Sequence, residues 1–559
     1  MTNIKKYLSQ LCAVFIFIVL YFGVASVFSV IWILQNFGDV KLEQILLNLA
    51  QPIEGVAIGF VISGVSIIGI MGLVLTVGVY MLVQAVFKKY AKVVCLMIGL
   101  GCLAYPITKW NLIDFIVAKY TVGTIYEEEH VVPKITTNQR NLIVIILESY
   151  EKTYQDESIF GKNLSPHLTQ IQNENLSADG FYQLRQTHWT ITSLLSSFCG
   201  VPLKLNNIFV DLSVYRTFIP GLSCWPNQLK EQGYETVLMK AASIQYTATD
   251  RFALQHGFKK AIGYRELKDE YGYVSNARWG LNDHQFYRAV KKELTALSQK
   301  GKPFLLATVQ VDTHKPSGHL NETCRPEYHD FRDAISCSDK EAAALIRWIQ
   351  TQPFYPNTTI IVMGDHIAPR TDIDDILQEI PDRGIYFTII NPQTEQKLQP
   401  HTFTNVDVAP TILDAVGFNF DGKFGLGRSL FRSEPTLIET KGDELEFELD
   451  CFSKKYRSWG NVVPPSVFED PSVLDAVPLG QQINLTNALS RYIGIQDMAE
   501  AVLGEIWLDE NHGEMKFRIN AQENKAYELV LRMYVPVIQT KEKEVRISIG
   551  ASDTVTKKY

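Results

Sequence analysis

The sequence predicts an α/β protein whose mostly parallel sheet is covered by helices on both faces, preceded by transmembrane helices and followed by a small β-rich domain. Three observations predict it. Uncharged apolar spans crowd the first 120 residues, short β-branched runs alternate with helical stretches from 135 to 435, and residues from 440 to 559 alternate apolar with polar. At 559 residues, 46% of them hydrophobic, the chain exceeds one ordinary domain and divides into two or three units. A net charge of -7 and a pI near 5.9 argue against a nucleic-acid partner, which would call for a basic stripe.

The membrane domain is expected at 1–120, with about three transmembrane helices. Residues 8–34 carry no charge and are too long for a signal-peptide core. Residues 55–87 form a second span and 93–108 a third, ending near Lys109-Trp110. Lys5 and Lys6 precede the first span, and Lys88, Lys89 and Lys92 separate the second from the third. The connection at 35–54 instead carries Asp39, Lys41, Glu43 and Glu54. Positive charge marks the cytoplasmic side, so the chain beyond the third span emerges outside. Cysteine usage agrees with that compartment. Cys324 and Cys337 bracket a polar loop as a local disulfide does, Cys199 and Cys224 form a second plausible pair, and Cys451 is left over.

In the soluble region, 135–435, strands are expected at 141–147, 235–239, 304–311, 358–363 and 385–390. Helices are expected at 165–175, 191–198, 283–299 and 339–351. The run Asn141-Leu-Ile-Val-Ile-Ile-Leu147 is almost wholly apolar, as a buried parallel strand requires, and stops in Glu148-Ser149. Thr358-Thr-Ile-Ile-Val-Met363 stops likewise in Gly364-Asp365-His366. Open α/β sheets place their ligands at such strand ends, so both runs point to one site. Between them Trp189-Thr190-Ile-Thr-Ser reads as a helix start, with Thr190 at its positive end. Beyond 440, the segments 513–519, 527–534 and 544–549 carry the half-buried antiparallel pattern.

Glu148, Asp365 and His366 offer hard oxygens and one imidazole, a donor set suited to Zn2+ or Mn2+. Thr190 as a fourth ligand would lose proton affinity and become a nucleophile at neutral pH, while the helix start stabilises charge on a transferring phosphoryl group.

Several motifs then carry a resemblance. Asn-Leu-Ile-Val-Ile-Ile-Leu-Glu-Ser at 141–149, Asn-Leu-Ser-Pro-His-Leu at 163–168, Trp-Thr-Ile-Thr at 189–192 and Phe-Cys-Gly-Val-Pro-Leu at 198–203 open the series. Arg-Phe-Ala-Leu-Gln-His-Gly-Phe at 251–258, Val-Asp-Thr-His-Lys-Pro at 311–316, Gly-Asp-His at 364–366 and Gly-Leu-Gly-Arg-Ser-Leu at 425–430 continue it in order. The chain resembles the phosphoglycerol transferases of osmoregulated periplasmic glucan synthesis, in the lipoteichoic acid synthase-like, sulfatase branch of the alkaline phosphatase superfamily. The resemblance implies an alkaline phosphatase-like sheet, metal ligation by Glu148, Asp365, His366 and Thr190, and a Thr190 nucleophile. It implies His314 against the substrate phosphate or leaving group, in acid/base work, and Arg251 near a substrate-contacting basic position. It also implies phosphatidylglycerol as donor, a periplasmic glucan or other envelope glycan as acceptor, and a multi-pass location in a bacterial inner membrane with the catalytic domain on the periplasmic side. A phosphoethanolamine transferase would use the same metal and threonine. Sulfatase chemistry needs C-x-P-x-R, and Cys324-Arg-Pro-Glu-Tyr328 lacks the final arginine. A non-catalytic membrane sensor or assembly factor would have no need of Thr190.

Overall fold

The computed structural model describes residues 2–37, 58–110, 112–204, 218–271 and 280–460, together with four strands between 502 and 558. Two helical stretches, Gln10–Gln35 and Ile62–Lys109, are long and apolar enough to cross a membrane. The first lies within α1 (Thr2–Phe37). The second contains α2 (Gly72–Phe87) and α3 (Ala91–Lys109), separated by a 3-10 turn at Lys88–Tyr90 where Lys88 takes a positive φ of 29°. That turn reverses the chain. Gly72 lies against Ala25 and Tyr80 against Phe17, so α2 runs antiparallel to α1, whereas Gly99 lies against Leu20 and Ser26 bonds the Cys102 carbonyl, so α3 runs parallel to it. Ile16, Leu20, Val24, Val83, Ala91 and Cys95 form their shared core. Phe15, Phe22, Leu82 and Met97 point outward and remain exposed, a surface that hydrocarbon solvates and water does not.

The remaining part of this compact unit is built on seven strands: β1 (Asn141–Leu147), β2 (Leu176–Ser177), β3 (Glu235–Lys240), β4 (Lys260–Ile262), β5 (Phe304–Val309), β6 (Thr358–Gly364) and β7 (Phe387–Ile390). Their order is β2-β7-β6-β1-β5-β3-β4. β7 is antiparallel to both β6 and β2, and the other pairs are parallel. All positions of β1 and β6 are buried, which an alternating strand with one face in water could not achieve. One large core places Ile143, Ile145 and Leu147 against α5 (Asp283–Ser298) and α6 (Phe331–Gln350) residues such as Phe286, Val290, Ile335 and Ile346.

Several boundaries differ from the sequence reading, and the short strands β2 and β4 were not among those expected. β5 ends at Val309 because Asp283 Oδ1 captures the Val311 and Asp312 amides, both at 3.1 Å, and pulls the chain off the sheet. Helix α6 begins at Phe331, well before 339, because Asp330 caps the Arg332 amide at 3.0 Å while Phe331 is buried. β7 begins at Phe387, two residues after 385.

Both expected disulfides are present, Cys199–Cys224 and Cys324–Cys337, and Cys451 is a buried free thiol. The first holds the end of α4 (Thr190–Cys199), where Gly200 adopts φ 65° and a Cβ would meet the Phe424 carbonyl at 2.4 Å. The facing strands, β8 (Lys423–Phe424) and β9 (Gly427–Arg428), send Leu426 N to Gly200 O at 2.7 Å.

The sheet-bearing region is met by α1 and by the segment that follows the apolar helices. Arg370 Nη1 donates to the Leu34 carbonyl of α1 at 3.0 Å. Phe452 N donates to Thr121 O at 2.8 Å, and Tyr126 OH to Leu449 O at 3.0 Å. The unit extends through Gly460, past 435 and 440, because helices Glu444–Asp450 and Lys454–Gly460 belong to it.

A second unit comprises residues 461–559 with 219–221. Its described strands form two antiparallel pairs, β10 (Val502–Asp509) with β11 (Glu514–Asn520) and β12 (Glu544–Ile549) with β13 (Asp553–Lys558). The segment expected at 527–534 lies outside the described residues.

Candidate active site

Parallel register brings the first two acids together. β1 pairs with β6 so that Leu147 faces Gly364, and the next residue of each strand, Glu148 and Asp365, leaves the sheet at the same edge. Asp365 N donates to Leu147 O at 3.1 Å. Gly364 is required by packing, since a Cβ there would stand 2.0 Å from the Tyr150 carbonyl. Ser149 takes φ 50°, a left-handed conformation uncommon outside glycine, and its amide reaches Asp365 Oδ1 at 2.8 Å. His366 N donates to the same oxygen at 2.9 Å. The His366 ring returns to the pair, with Nε2 at 3.3 Å from Asp365 Oδ2 and 3.6 Å from Glu148 Oε1.

Thr190 arrives from a different element, as the first residue of α4, after Trp189 in extended conformation. Its Oγ1 donates to Glu148 Oε2 at 3.1 Å, which brings the start of the helix to the cluster. Glu148, Asp365 and His366 are each at most 5% exposed, and Thr190 is half-buried.

Burial alone would raise the Glu148 carboxyl, but the charges of His366 and His314 outweigh it and hold it below its ordinary value. Asp365 goes the other way, pushed up to about 7 by burial and by the Glu148 charge. Two buried carboxyls thus compete for one imidazole. Asp365 Oδ2 is buried without a hydrogen-bond partner among the described residues. An orphaned carboxylate oxygen, a second carboxylate and an imidazole nitrogen, with all three ligand atoms within 4.8 Å of one another, fit a divalent cation, which would remove the repulsion that lifts Asp365.

His314 is half-buried beside this group, and desolvation holds its ring below the ordinary value against the attraction of Glu148. Its Nδ1 lies 3.1 Å from the Lys315 carbonyl, a contact in which Nδ1 donates. Arg251 sits on helix Thr249–Gln255, partly buried, with Asp250 as its charged neighbour; the structure does not gather it with the five residues above.

Three further residues were missed by sequence reasoning. Lys240, the last residue of β3, is buried with its ammonium 3.2 Å from Thr249 Oγ1, and burial lowers it to about 8 although Glu148 and Asp365 pull it back up. Lys315 is lowered to about 8 for the same reason, with Glu148 and Asp374 opposing. A lysine closing an apolar strand at the ligand-bearing edge was a readable signal for Lys240. Asn405, which opens helix α7 (Asn405–Ala415), donates to the Asp365 carbonyl at 3.2 Å and carried no readable signal.

Residues 140–418 match the family described as Sulfatase. Over 306 residues the chain is 32% identical to a phosphoglycerol transferase I of Citrobacter koseri, covering 53% of this chain and 39% of that protein. The phosphoglycerol transferase I of Escherichia fergusonii is 32% identical over 303 residues, 52% of this chain and 38% of that protein. The chain therefore spans about two fifths of the length of the curated relatives it matches. Among solved structures, the lipoteichoic acid synthase LtaP of Listeria monocytogenes superposes with a TM-score of 0.44 at 17% identity, over 56% of this chain and 82% of that one.

Proposed function

Since residues 140–418 belong to the sulfatase family, we propose that the chain is a metal-dependent, membrane-anchored phosphotransferase that moves a glycerophosphate headgroup from phosphatidylglycerol to an envelope glycan, such as a periplasmic glucan. The observation that carries the reading is the hydroxyl of Thr190, at a helix start, 3.1 Å from a carboxylate oxygen of the Glu148–Asp365–His366 cluster. The names of the curated relatives support the glycerophosphate donor.

In this reading residues 1–120 form a multi-pass inner-membrane domain, the catalytic domain is extracytoplasmic and runs from 135 to 460, and 461–559 form a β-rich appendage. Thr190 Oγ forms a bond to the donor phosphorus and the bond to the diacylglycerol oxygen breaks. The threonine proton passes to that departing oxygen, with Glu148 first in line to receive it and His314 placed to deliver one. In the second displacement the acceptor hydroxyl attacks the phosphorus and Thr190 leaves, regaining the proton that His314 takes from the acceptor. A Mn2+ or Zn2+ ion held by Glu148, Asp365, His366 and Thr190 would polarise the phosphoryl oxygens and lower the proton affinity of the threonine. Lys240 and Lys315 supply positive charge for the phosphodiester anion, and Arg251 adds a contact to the headgroup at the outer rim.

The test uses solubilised full-length chain with manganese and phosphatidylglycerol labelled in its glycerol headgroup, followed by peptide mass analysis of 189–198. A glycerophosphoryl adduct on Thr190 supports the reading. An adduct from labelled phosphatidylethanolamine instead would move the chain to phosphoethanolamine transfer, and no adduct from either lipid with metal bound would leave a non-catalytic binding protein.

A further inference from the structure

We infer that Asn405 is a positioning residue for the transfer, its side-chain amide tying the helix that carries Thr190 to the strand end that carries Asp365. The inference rests on the reading of Thr190 as nucleophile and deepens it. Asn405 is fully buried. Its Nδ2 donates to Ser193 Oγ at 2.9 Å and to the Asp365 carbonyl at 3.2 Å. Ser193 is one turn beyond Thr190 and so shares its side of α4. One planar amide thereby fixes the distance between two elements that come from separate parts of the sequence. The helix turn that carries it is closed from behind by Thr404 and Asp407, with Thr404 N at 2.9 Å from Asp407 Oδ2. Asn405 Oδ1 has no hydrogen-bond partner among the described residues, so the two donated bonds alone orient the amide.

The far end of α4 is held independently by the Cys199–Cys224 disulfide and by Leu426 N on Gly200 O. Removing the amide leaves α4 folded but free to pivot at the end that matters. The Thr190 hydroxyl would shift relative to Glu148 while the headgroup contacts stay, and a displacement of about 1 Å at a reacting atom costs on the order of 100-fold in rate.

The experiment compares full-length parent, Asn405→Ala, Ser193→Ala and the double variant in detergent, with Mn2+ and headgroup-labelled phosphatidylglycerol. Expected is a fall in kcat of about 10- to 100-fold for Asn405→Ala with KM within about twofold, and a double variant no slower than Asn405→Ala alone, since both changes cut the same tie. A Co2+-loaded sample gives a second readout, in which the visible absorption of Asn405→Ala moves in the same direction as that of Thr190→Ala. Multiplying losses in the double variant, a rise in KM at parental kcat, or unchanged cobalt bands would overturn the inference. If the parent transfers no lipid headgroup, the transferase reading fails and the cobalt bands still decide the role of Asn405. If Asn405→Ala does not fold, Ser193→Ala carries the test, because it cuts the tie and leaves the Asp365 bond in place; parental kcat there would overturn it.

Discussion

At the scale of single residues the metal-free site sets two carboxyls apart, Glu148 held below its ordinary value and Asp365 above it. Replacing Asp365 by Asn removes the orphaned anionic oxygen, and metal affinity is expected to fall at least about 10-fold, read by titration of metal-stripped protein. Chelation of the parent should abolish transfer, and added Mn2+ or Zn2+ should restore it. Thr190→Ala should lower turnover by about 1,000-fold or more while the three other ligands still bind metal, a split that separates a nucleophile from a purely structural ligand. Glu148, Asp365 and His366 were legible because each follows a run of apolar β-branched residues, and such runs say where a sheet edge lies. Asn405 was not, because an asparagine at a helix start is an ordinary cap in sequence. Its use here depends on which two elements the topology sets on either side of it.

At the scale of elements, α4 is the piece on which the site turns, and its anchors differ in kind. Loss of the Cys199–Cys224 bridge, by Cys224→Ser, should destabilise the catalytic unit by about 3 kcal/mol for a loop of 25 residues, read as a lowered unfolding midpoint under non-reducing conditions. A separate group in the same unit answers to pH. His256, just beyond the Thr249–Gln255 helix, is buried against the Phe218 carbonyl at 2.6 Å, and burial holds its ring down to about 4. A depressed folded-state value means that the stability linked to this ring is present above about 6.5 and is lost as pH falls through about 4, up to about 3 kcal/mol in all. His256→Leu should flatten the fall in unfolding midpoint between pH 6.5 and pH 4; an unchanged slope would assign the acid lability to other groups. The five longer strands were legible to within two residues, whereas β2, β4 and the start of α6 were not, since strands of two or three residues carry no period and the charged residues at 330–340 hide the buried face of that turn.

At the scale of the whole molecule, the change in texture at 120 and the lysine-rich turn at 88–92 were legible because membrane solvation and charge leave compositional marks. The extension of the first unit to Gly460 was not, because its last helices are short and the contacts of residues 449–452 with 118–126 are long-range. The bond from Arg370 to the end of α1 joins the loop after His366 to a membrane helix. Arg370→Ala should lower transfer from vesicle-borne phosphatidylglycerol and spare a short-chain, water-soluble donor; equal losses on both would make Arg370 an ordinary fold residue. A reaction centre leashed to its bilayer in this way samples a plane rather than a volume. Its velocity then follows the mole fraction of donor in the lipid film, so diluting phosphatidylglycerol with phosphatidylcholine at fixed bulk amount slows the enzyme, and adding more vesicles of unchanged composition does not speed it.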